Sequence, residues 1–406
     1  MNLSGRIKDY VKAVSQNNEF YRGKYQDIDI EEWEKIPILE KEEVREAGEK
    51  IIDGTRPYSW ERTSGSTGKV LEIAWNGLDR GISLIELWEE RMKFGITPKS
   101  KGCFFHSINY RKYSEEDYVI NSDVIVESDN IVSFSKLNFD DENLQLYYDI
   151  VKTRKIEWIL CHPSTLSILM GFMKKKGLEP IESIKYIELA GEFLALETEE
   201  DFRQFFNTNI RNEYGMREVN GMAYECEEGS LHCLEKNVYL EIIDENGKTK
   251  EDGVEGEICV TSLNNRVMPF IRYRTGDRGS LWRDSHCKCG SKSPILKLTA
   301  GRTNELVERR NRNPLESVLF FYITEYINIF YEKCILQFKV IQKEIGRFEV
   351  YFVLKESAFS EEIQELFVEK AEEYGLTDIE WSFYFIDRID PDKKTNKLAF
   401  FVNEIN

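Results

Sequence analysis

Residues 60–75 read WERTSGSTGKVLEIAW. From Thr63 to Lys69 every residue is small, hydroxylated or glycine until the closing lysine, so this stretch buries almost no apolar surface. It lacks the spacing of a Walker loop, which needs four residues between its first glycine and the Gly-Lys pair. The physics is nevertheless related. Gly65 and Gly68 let backbone N–H groups turn toward one anion. Thr63, Ser64, Ser66 and Thr67 add hydroxyls, and Lys69 adds charge. The plain alternative is a Ser/Gly-rich turn between two strands.

The surroundings of this loop set the fold class. EIAWN after it reads as a short strand, and DRGISLIELWEERMKFGI as an amphipathic helix. SDVIVES, IEWILCH and IKYIELAG are short apolar strands separated by helical stretches such as residues 163–176. Strands alternating with helices predict an α/β body with a largely parallel sheet. Residues 1–55 read as charged helices, with Pro37 breaking the clearest of them. After about residue 235, short strands bounded by Gly, Asn and Asp, with an Asn-Gly turn at 246–247, predict an antiparallel β region. Beyond Gly301 the order helix (314–331), two strands (334–342, 348–354), helix and strand (379–386) predicts a small α+β domain.

Composition narrows the function classes. The chain has 406 residues, 41% of them hydrophobic, and a net charge of −18. That charge argues against nucleic acid or an anionic membrane as partner, since phosphate contacts need clustered Lys and Arg. No apolar core follows Met1 to suit a secretory signal. The most apolar region, residues 318–338, is interrupted by Glu325, Asn328, Glu332 and Lys333. It reads as a buried helix running into a strand. Eight scattered cysteines fit reduced thiols in the cytoplasm, metal binding being the main exception.

Four further stretches bear on the loop. NEYGMRE (212–218) sets Tyr214 beside Gly215, so a ring can lie flat on a planar base, with the Glu218 carboxylate available to a metal. YRTGD (273–277) ends in Asp277, an acceptor pair suited to two vicinal sugar hydroxyls. LAGEF (189–193) ends a strand with small residues that admit a ligand to the backbone. AGRTNELV (300–307) puts Arg302 at the junction with the last domain. Each is weak alone, and their order along the chain makes them specific.

With these motifs in that order, the chain resembles the adenylate-forming superfamily of acyl-CoA synthetases, adenylation domains and luciferases. Within it, it is most similar to the phenylacetate-CoA ligase branch, with its capsular-polysaccharide and coenzyme-F390-synthetase-like relatives. The resemblance runs from about residue 15 onward. It implies a large N-terminal α/β domain with mixed sheets and a β subregion (1–303), binding ATP and acid. It also implies a small mobile α+β lid (304–406). On this resemblance residues 63–69 cover the ATP phosphates, Tyr214 stacks on adenine, and Gly191, Glu192 and Gly215 line the same pocket. Glu218 holds Mg²⁺, Asp277 binds ribose, and Arg302 lies near the nucleotide. The hinge is Asn304, where relatives usually have Asp. The catalytic lysine aligns with Lys397 in KTNKLAFF, with Lys394 as the alternative. Asn396 replaces the usual glycine before it and tolerates a left-handed turn.

The implied reaction converts a carboxylate into an acyl-AMP, replacing an impossible oxide leaving group with AMP. Mg²⁺ and a lysine must offset the charge as an anion meets a polyanion. Transfer to a thiol, coenzyme A or a carrier protein, would follow. The post-hinge segment ELVERRNRNPLES lacks the glycine that relatives use beside the thiol tunnel. Its Arg309, Arg310 and Arg312 could meet coenzyme A phosphates, dock an acidic carrier, or form a solvated loop. Transfer to an amine, adenylyl transfer and a nucleotide sensor are the rival functions. Phe104, Phe105, His106, His162 and Pro163 are candidate linings of the acid pocket, and an aromatic wall suits a flat acid.

A separate pattern points to structural zinc. Cys226 and His232 in CEEGSLH, with Cys287 and Cys289 in HCKCGSKSP, make a closed Cys₃His set. Cys233 and His286 compete for those places. Some members of the phenylacetate-CoA ligase branch look similar here.

Overall fold

The computed structural model describes all residues except 1–2, 31, 63–70, 107–118, 123–124, 128–129, 137, 193, 195, 285, 300–305, 311, 331–333, 356–359, 390–399 and 406. The chain forms two compact units that interleave along the sequence. The first is Met1–Thr63, Leu71–Thr97 and Arg211–Gly301. The second is Ser64–Val70, Pro98–Ile210 and Arg302–Asn406. The linear reading, a single boundary near residue 303, differs from this division. Residues 98–210 share a unit with the C-terminal segment instead of with the β region.

The first unit is built around the antiparallel strands expected after residue 235, joined by three further strands that precede that residue. In spatial order they run Val238–Ile243, Gly256–Ser262, Tyr273–Trp282, Ile295–Leu298, Leu231–Cys233, Asn220–Glu225 and Asn209–Met216. Asp244 accepts from the backbone N–H of Asn246 and of Lys248, each at 2.9 Å, and Gly247 takes a φ of 78°. The Asn-Gly turn is therefore formed as its sequence requires. Helices Leu3–Asn17, Glu19–Lys24 and Lys41–Ala47 cover this unit. Between them the chain after Pro37 is extended, and Leu39 exchanges two backbone hydrogen bonds with Arg272 and Arg274. The core includes Val11, Tyr21, Leu39, Ile73, Trp75, Ile258 and Phe270.

The hairpin flanking the opening stretch also belongs here. Ser59–Arg62 pairs antiparallel with Glu72–Trp75, closing at Arg62 opposite Glu72. Residues 63–69 themselves lie outside the described residues.

The second unit holds the parallel sheet. Tyr186–Ala190, Trp158–Cys161, Gly102–His106 and Ile131–Ser135 are consecutive parallel neighbours. Ile125–Glu127 and Val119–Ser122 extend it antiparallel. Two crossover helices carry clear local signals. Asp140 caps Asp141–Arg154, accepting from Asn143 N–H at 2.9 Å. Pro163 opens Pro163–Lys176, which ends on Gly177 in the left-handed region.

In the C-terminal segment one expectation fails. The helix read from residue 314 begins only at Val318. Residues 312–316 instead form the strand Arg312–Glu316, which pairs with Leu306–Arg309. Pro314 has no N–H for a ladder, but a two-stranded hairpin has an open edge for it. The rest follows the sequence: Ile335–Glu344, Arg347–Leu354, Ser360–Glu373, Glu380–Phe385, then Phe401–Asn403. Phe320, Ile323, Phe348, Phe352 and Phe367 join the core of this unit with Phe134, Leu166 and Ile187. Among the described residues no helix is long and apolar enough to cross a membrane.

Candidate functional site

In the first unit the fold gathers three of the expected ligand-binding residues. Tyr214 lies on Asn209–Met216 and Asp277 on Tyr273–Trp282, 63 positions apart, and the Tyr214 hydroxyl donates to Asp277 Oδ2 at 2.8 Å. Local chain features aim Asp277. Gly276 before it takes a φ of 86°, and the ladder with Gly256–Ser262 slips by two residues there. The Thr275 hydroxyl accepts from Asp277 N–H at 3.1 Å. Among the described residues Asp277 Oδ1 makes no hydrogen bond, so one acceptor remains for an incoming diol. Gly215, next to Tyr214, is required sterically. A Cβ there would stand 2.8 Å from the Asn220 carbonyl oxygen and 3.2 Å from Gly221 Cα.

Glu218 follows in the turn between Asn209–Met216 and Asn220–Glu225 and is only 2% exposed. Burial raises its carboxyl above the ordinary glutamate range. Lys41 is the leading opposing charge, and Asp277 adds to the upward push. The Tyr273 hydroxyl donates to Glu218 Oε1 at 3.4 Å. A buried carboxylate with one long hydrogen bond and a nearby second carboxylate is a donor set that suits a hard divalent cation. Sequence reading missed Lys41 and Tyr273. Tyr273 stands at the head of YRTGD, four residues before Asp277 on one strand. Lys41 has no local signal, because it is brought in by the Leu39 backbone pairing.

Gly191 and Glu192 lie in the second unit, after Tyr186–Ala190. Gly191 takes a φ of 81°, and a Cβ there would come within 2.7 Å of His162 Cε1. His162 precedes the helix Pro163–Lys176 and turns its ring to the strand end, with Nδ1 2.7 Å from the Ala190 carbonyl oxygen. The Tyr322 hydroxyl is 3.5 Å from its Nε2. Phe105 goes elsewhere, packing on Phe134 and Tyr147. It lines an apolar cavity of about 40 Å³ with Leu144, Leu166 and Phe172, and neither His162 nor Pro163 borders that cavity. Ligand pockets run to roughly 300–1,000 Å³, so this void is a packing gap. Phe104 meets Trp158 edge to face. The side chain of His106 is not among those described. Arg302, Asn304, Lys394 and Lys397 also lie outside the described residues.

The Cys/His set converges. Ligand atoms of Cys226, His232, Cys287 and Cys289 all lie within 4.8 Å of one another. Cys226 Sγ is 3.7 Å from Cys287 Sγ, and Cys289 Sγ is 3.3 Å from His232 Nε2. Two sulfurs on a tetrahedral zinc, each at ~2.3 Å, stand roughly 3.8 Å apart, so the spacing fits. Two tight turns create it. Gly229 N–H donates to Cys226 O, and Gly290 N–H donates to Cys287 O. His232 Nδ1 lies 3.0 Å from the Ser293 carbonyl oxygen, which orients Nε2 toward the thiols. The backbone N–H of Cys289 is the leading cause that lowers the Cys287 thiol to about 6. Cys233 is buried in the core of this unit, and Cys233 and His286 stand outside the cluster.

This mixed α/β architecture is shared with solved acyl-CoA ligases. It superposes on 2-hydroxyisobutyryl-CoA ligase in complex with 2-HIB-AMP and CoA in the thioesterification state with a TM-score of 0.65 and 15% identity, over 97% of this chain and 87% of that one. The postadenylation state with R3-HIB-AMP gives a TM-score of 0.62 at 14% identity, over 95% and 85%. At these identities the likeness establishes fold. Residues 131–268 match the AMP-binding enzyme family. The chain resembles the phenylacetate-CoA ligase branch. It is 28% identical over 170 residues to phenylacetate-coenzyme A ligase of Thermus thermophilus, covering 40% of this chain and 38% of that protein. It is 31% identical over 125 residues to the Pseudomonas putida enzyme, covering 29% and 28%. The matched stretches thus span well under half the length of either relative.

Proposed function

We propose that this protein activates a small carboxylic acid with ATP, forming an acyl-AMP and releasing pyrophosphate, and then passes the acyl group to the thiol of coenzyme A. The observation that carries this reading is the Tyr214–Asp277 hydrogen bond beside buried Glu218. It assembles an aromatic face, a sugar-binding carboxylate and a metal-suited carboxylate from distant motifs. The named functions of the relatives support the same reaction class.

In this reading the Tyr214 ring stacks on adenine while its hydroxyl holds Asp277 in place for the ribose hydroxyls. Glu218 would hold Mg²⁺, which supplies neutralisation of phosphate charge. Residues 63–69 would close over the β- and γ-phosphates, and Lys397 would meet the carboxylate and α-phosphate as charge develops. The family resemblance would also give Gly191, Glu192 and Arg302 nucleotide-binding roles, and Asn304 the role of hinge before a lid of residues 304–406. Cys226, His232, Cys287 and Cys289 would hold a structural Zn²⁺, with no open position for chemistry.

Acid-dependent exchange of labelled pyrophosphate into ATP is the test, run across aromatic, aliphatic and amino acids. Exchange with at least one acid is expected, and an aryl or other flat acid is the expected best substrate. ATP binding with no exchange for any acid would favour a nucleotide sensor instead.

A further inference from the structure

Most of the thiols in this chain are closed to solvent. Of the eight cysteines, Cys103, Cys161, Cys226, Cys233, Cys259 and Cys334 are buried, and only Cys287 and Cys289 reach solvent in part. The turn that carries these two is open, with His286, Lys288 and Gly290 all exposed. Oxidation of cysteine follows thiolate character and exposure. Both coincide at the Cys226–His232–Cys287–Cys289 cluster, since a metal holds thiolates and not thiols. Three thiolates outweigh the charge of one divalent zinc, so the bound sulfurs keep nucleophilic electron density.

The cluster is also asymmetric. Cys226 Sγ lies 3.7 Å from Cys287 Sγ, on a separate turn. Cys226 is anchored: its N–H donates to the Ser230 carbonyl at 3.0 Å, and its own carbonyl accepts from Gly229 N–H at 3.0 Å. Cys289 is engaged on another side. Its Sγ accepts from Ser291 N–H at 3.4 Å and stands 3.3 Å from His232 Nε2. A half-exposed thiol, Cys287, thus has a buried and firmly held thiol, Cys226, within reach. Sulfurs in a disulfide stand about 2.05 Å apart. The exposed Cys287 turn supplies the short movement needed to close that gap, while Cys226 stays fixed.

From this arrangement we propose that the cluster is an oxidation site: Cys287 reacts with a peroxide, Cys226 captures it as a disulfide, and the structural zinc leaves. This inference rests on the zinc assignment above. In the first step the Cys287 thiolate attacks one oxygen of hydrogen peroxide and becomes the sulfenic acid. The O–O bond breaks, sulfur gives up an electron pair, and the other oxygen takes a proton from solvent and departs as water. In the second step the Cys226 thiolate attacks Cys287 Sγ. The S–S bond forms, the S–O bond breaks, and the departing hydroxide takes a second proton to leave as water. Cys289 and His232 then remain, a pair where structural zinc requires four ligands. A dithiol reductant reverses the bond, becoming a disulfide itself, and the restored thiolates take zinc back.

The test treats the full, reduced, zinc-loaded chain with a small excess of hydrogen peroxide and follows free zinc with a chromophoric chelator, against an untreated sample. Release of about one zinc per chain is expected. It should come with a mass lower by two hydrogens and a Cys226–Cys287 cross-linked peptide after digestion without reductant. Dithiothreitol with added zinc should restore both metal content and melting temperature. Cys287→His keeps four zinc ligands but removes the attacked sulfur, and should slow release by about tenfold or more. Peptide mapping of the wild-type chain decides the matter even where that variant fails to fold. Zinc retained through the treatment would overturn the proposal, as would release without a disulfide or a bridge between Cys287 and Cys289. Protein purified without zinc would instead strike at the zinc assignment and take this inference with it.

Discussion

Glu218 shows how a single residue can be costly to the fold and still fit its proposed task. Its carboxyl is buried and pushed upward by that burial. As pH rises through the ordinary glutamate range the unfolded chain ionises first, while the folded chain keeps its proton. Stability is therefore lost as pH climbs toward the folded pKa, and is fully present below the unfolded one. Glu218→Gln should raise unfolding stability at neutral pH by about 1 kcal/mol and converge with the parent near pH 3. The same variant should lose most metal-dependent pyrophosphate exchange. Urea unfolding at the two pH values checks the first outcome, and a variant less stable at neutral pH would show that Glu218 holds the fold together. At this scale the sequence was partly legible. Tyr214, Glu218 and Asp277 each stood in a short motif with its own chemistry. Their meeting was not legible, nor was Lys41, because both depend on strand pairings that no local pattern encodes.

At the scale of elements, the two Cys/His turns are the clearest unit. Cys226 to His232 spans one hairpin turn and Cys287 to Gly290 another, each closed by a backbone hydrogen bond. A metal shared between them would tie the strands Leu231–Cys233 and Ile295–Leu298, which already pair through His232 and Ile295. Purified protein should contain about one zinc per chain by elemental analysis. Chelation should lower its melting temperature by several degrees, on the order of 2–4 °C per kcal/mol for a body of this size. Metal-free protein, or melting unchanged by chelation, would remove the zinc assignment. The ligand choice was legible only as a set with two competitors. Cys233 was excluded by packing, since its strand neighbour His232 turns toward the thiols of Cys226, Cys287 and Cys289 while Cys233 packs in the core. The misread helix start at Pro314 is the complementary case. Proline opens helices by local preference, but the hairpin with Leu306–Arg309 claimed residues 312–316.

For the whole molecule, two hydrophobic cores organise the chain, one per compact unit. Each core draws on segments far apart in sequence. The proposed lid chemistry belongs to this scale because it needs residues 304–406 to bring a lysine to the nucleotide. Lys397→Ala should abolish most acid-dependent exchange while leaving ATP affinity within a few-fold. Exchange at the parent rate would transfer the role to Lys394 or remove it from this tail.

The sequence by itself determined the alternation of strands and helices, the antiparallel region after residue 235 and the order of the nucleotide motifs. Periodicity, turn residues and short motifs are local, and local interactions write themselves into consecutive residues. Only the tertiary structure decided which residues meet. It brought Tyr214 to Asp277, chose Cys226, His232, Cys287 and Cys289 over their competitors, and faced Arg309 with Arg312. It also grouped residues 98–210 with the C-terminal segment. Those outcomes depend on strand register and on burial between segments distant in the chain, where the energy lies in pairings that no single stretch contains. The loop TSGSTGK lies outside the described residues, so its phosphate-gripping role stays a proposal drawn from its motif; the hairpin that leads into it closes at Arg62 and Glu72.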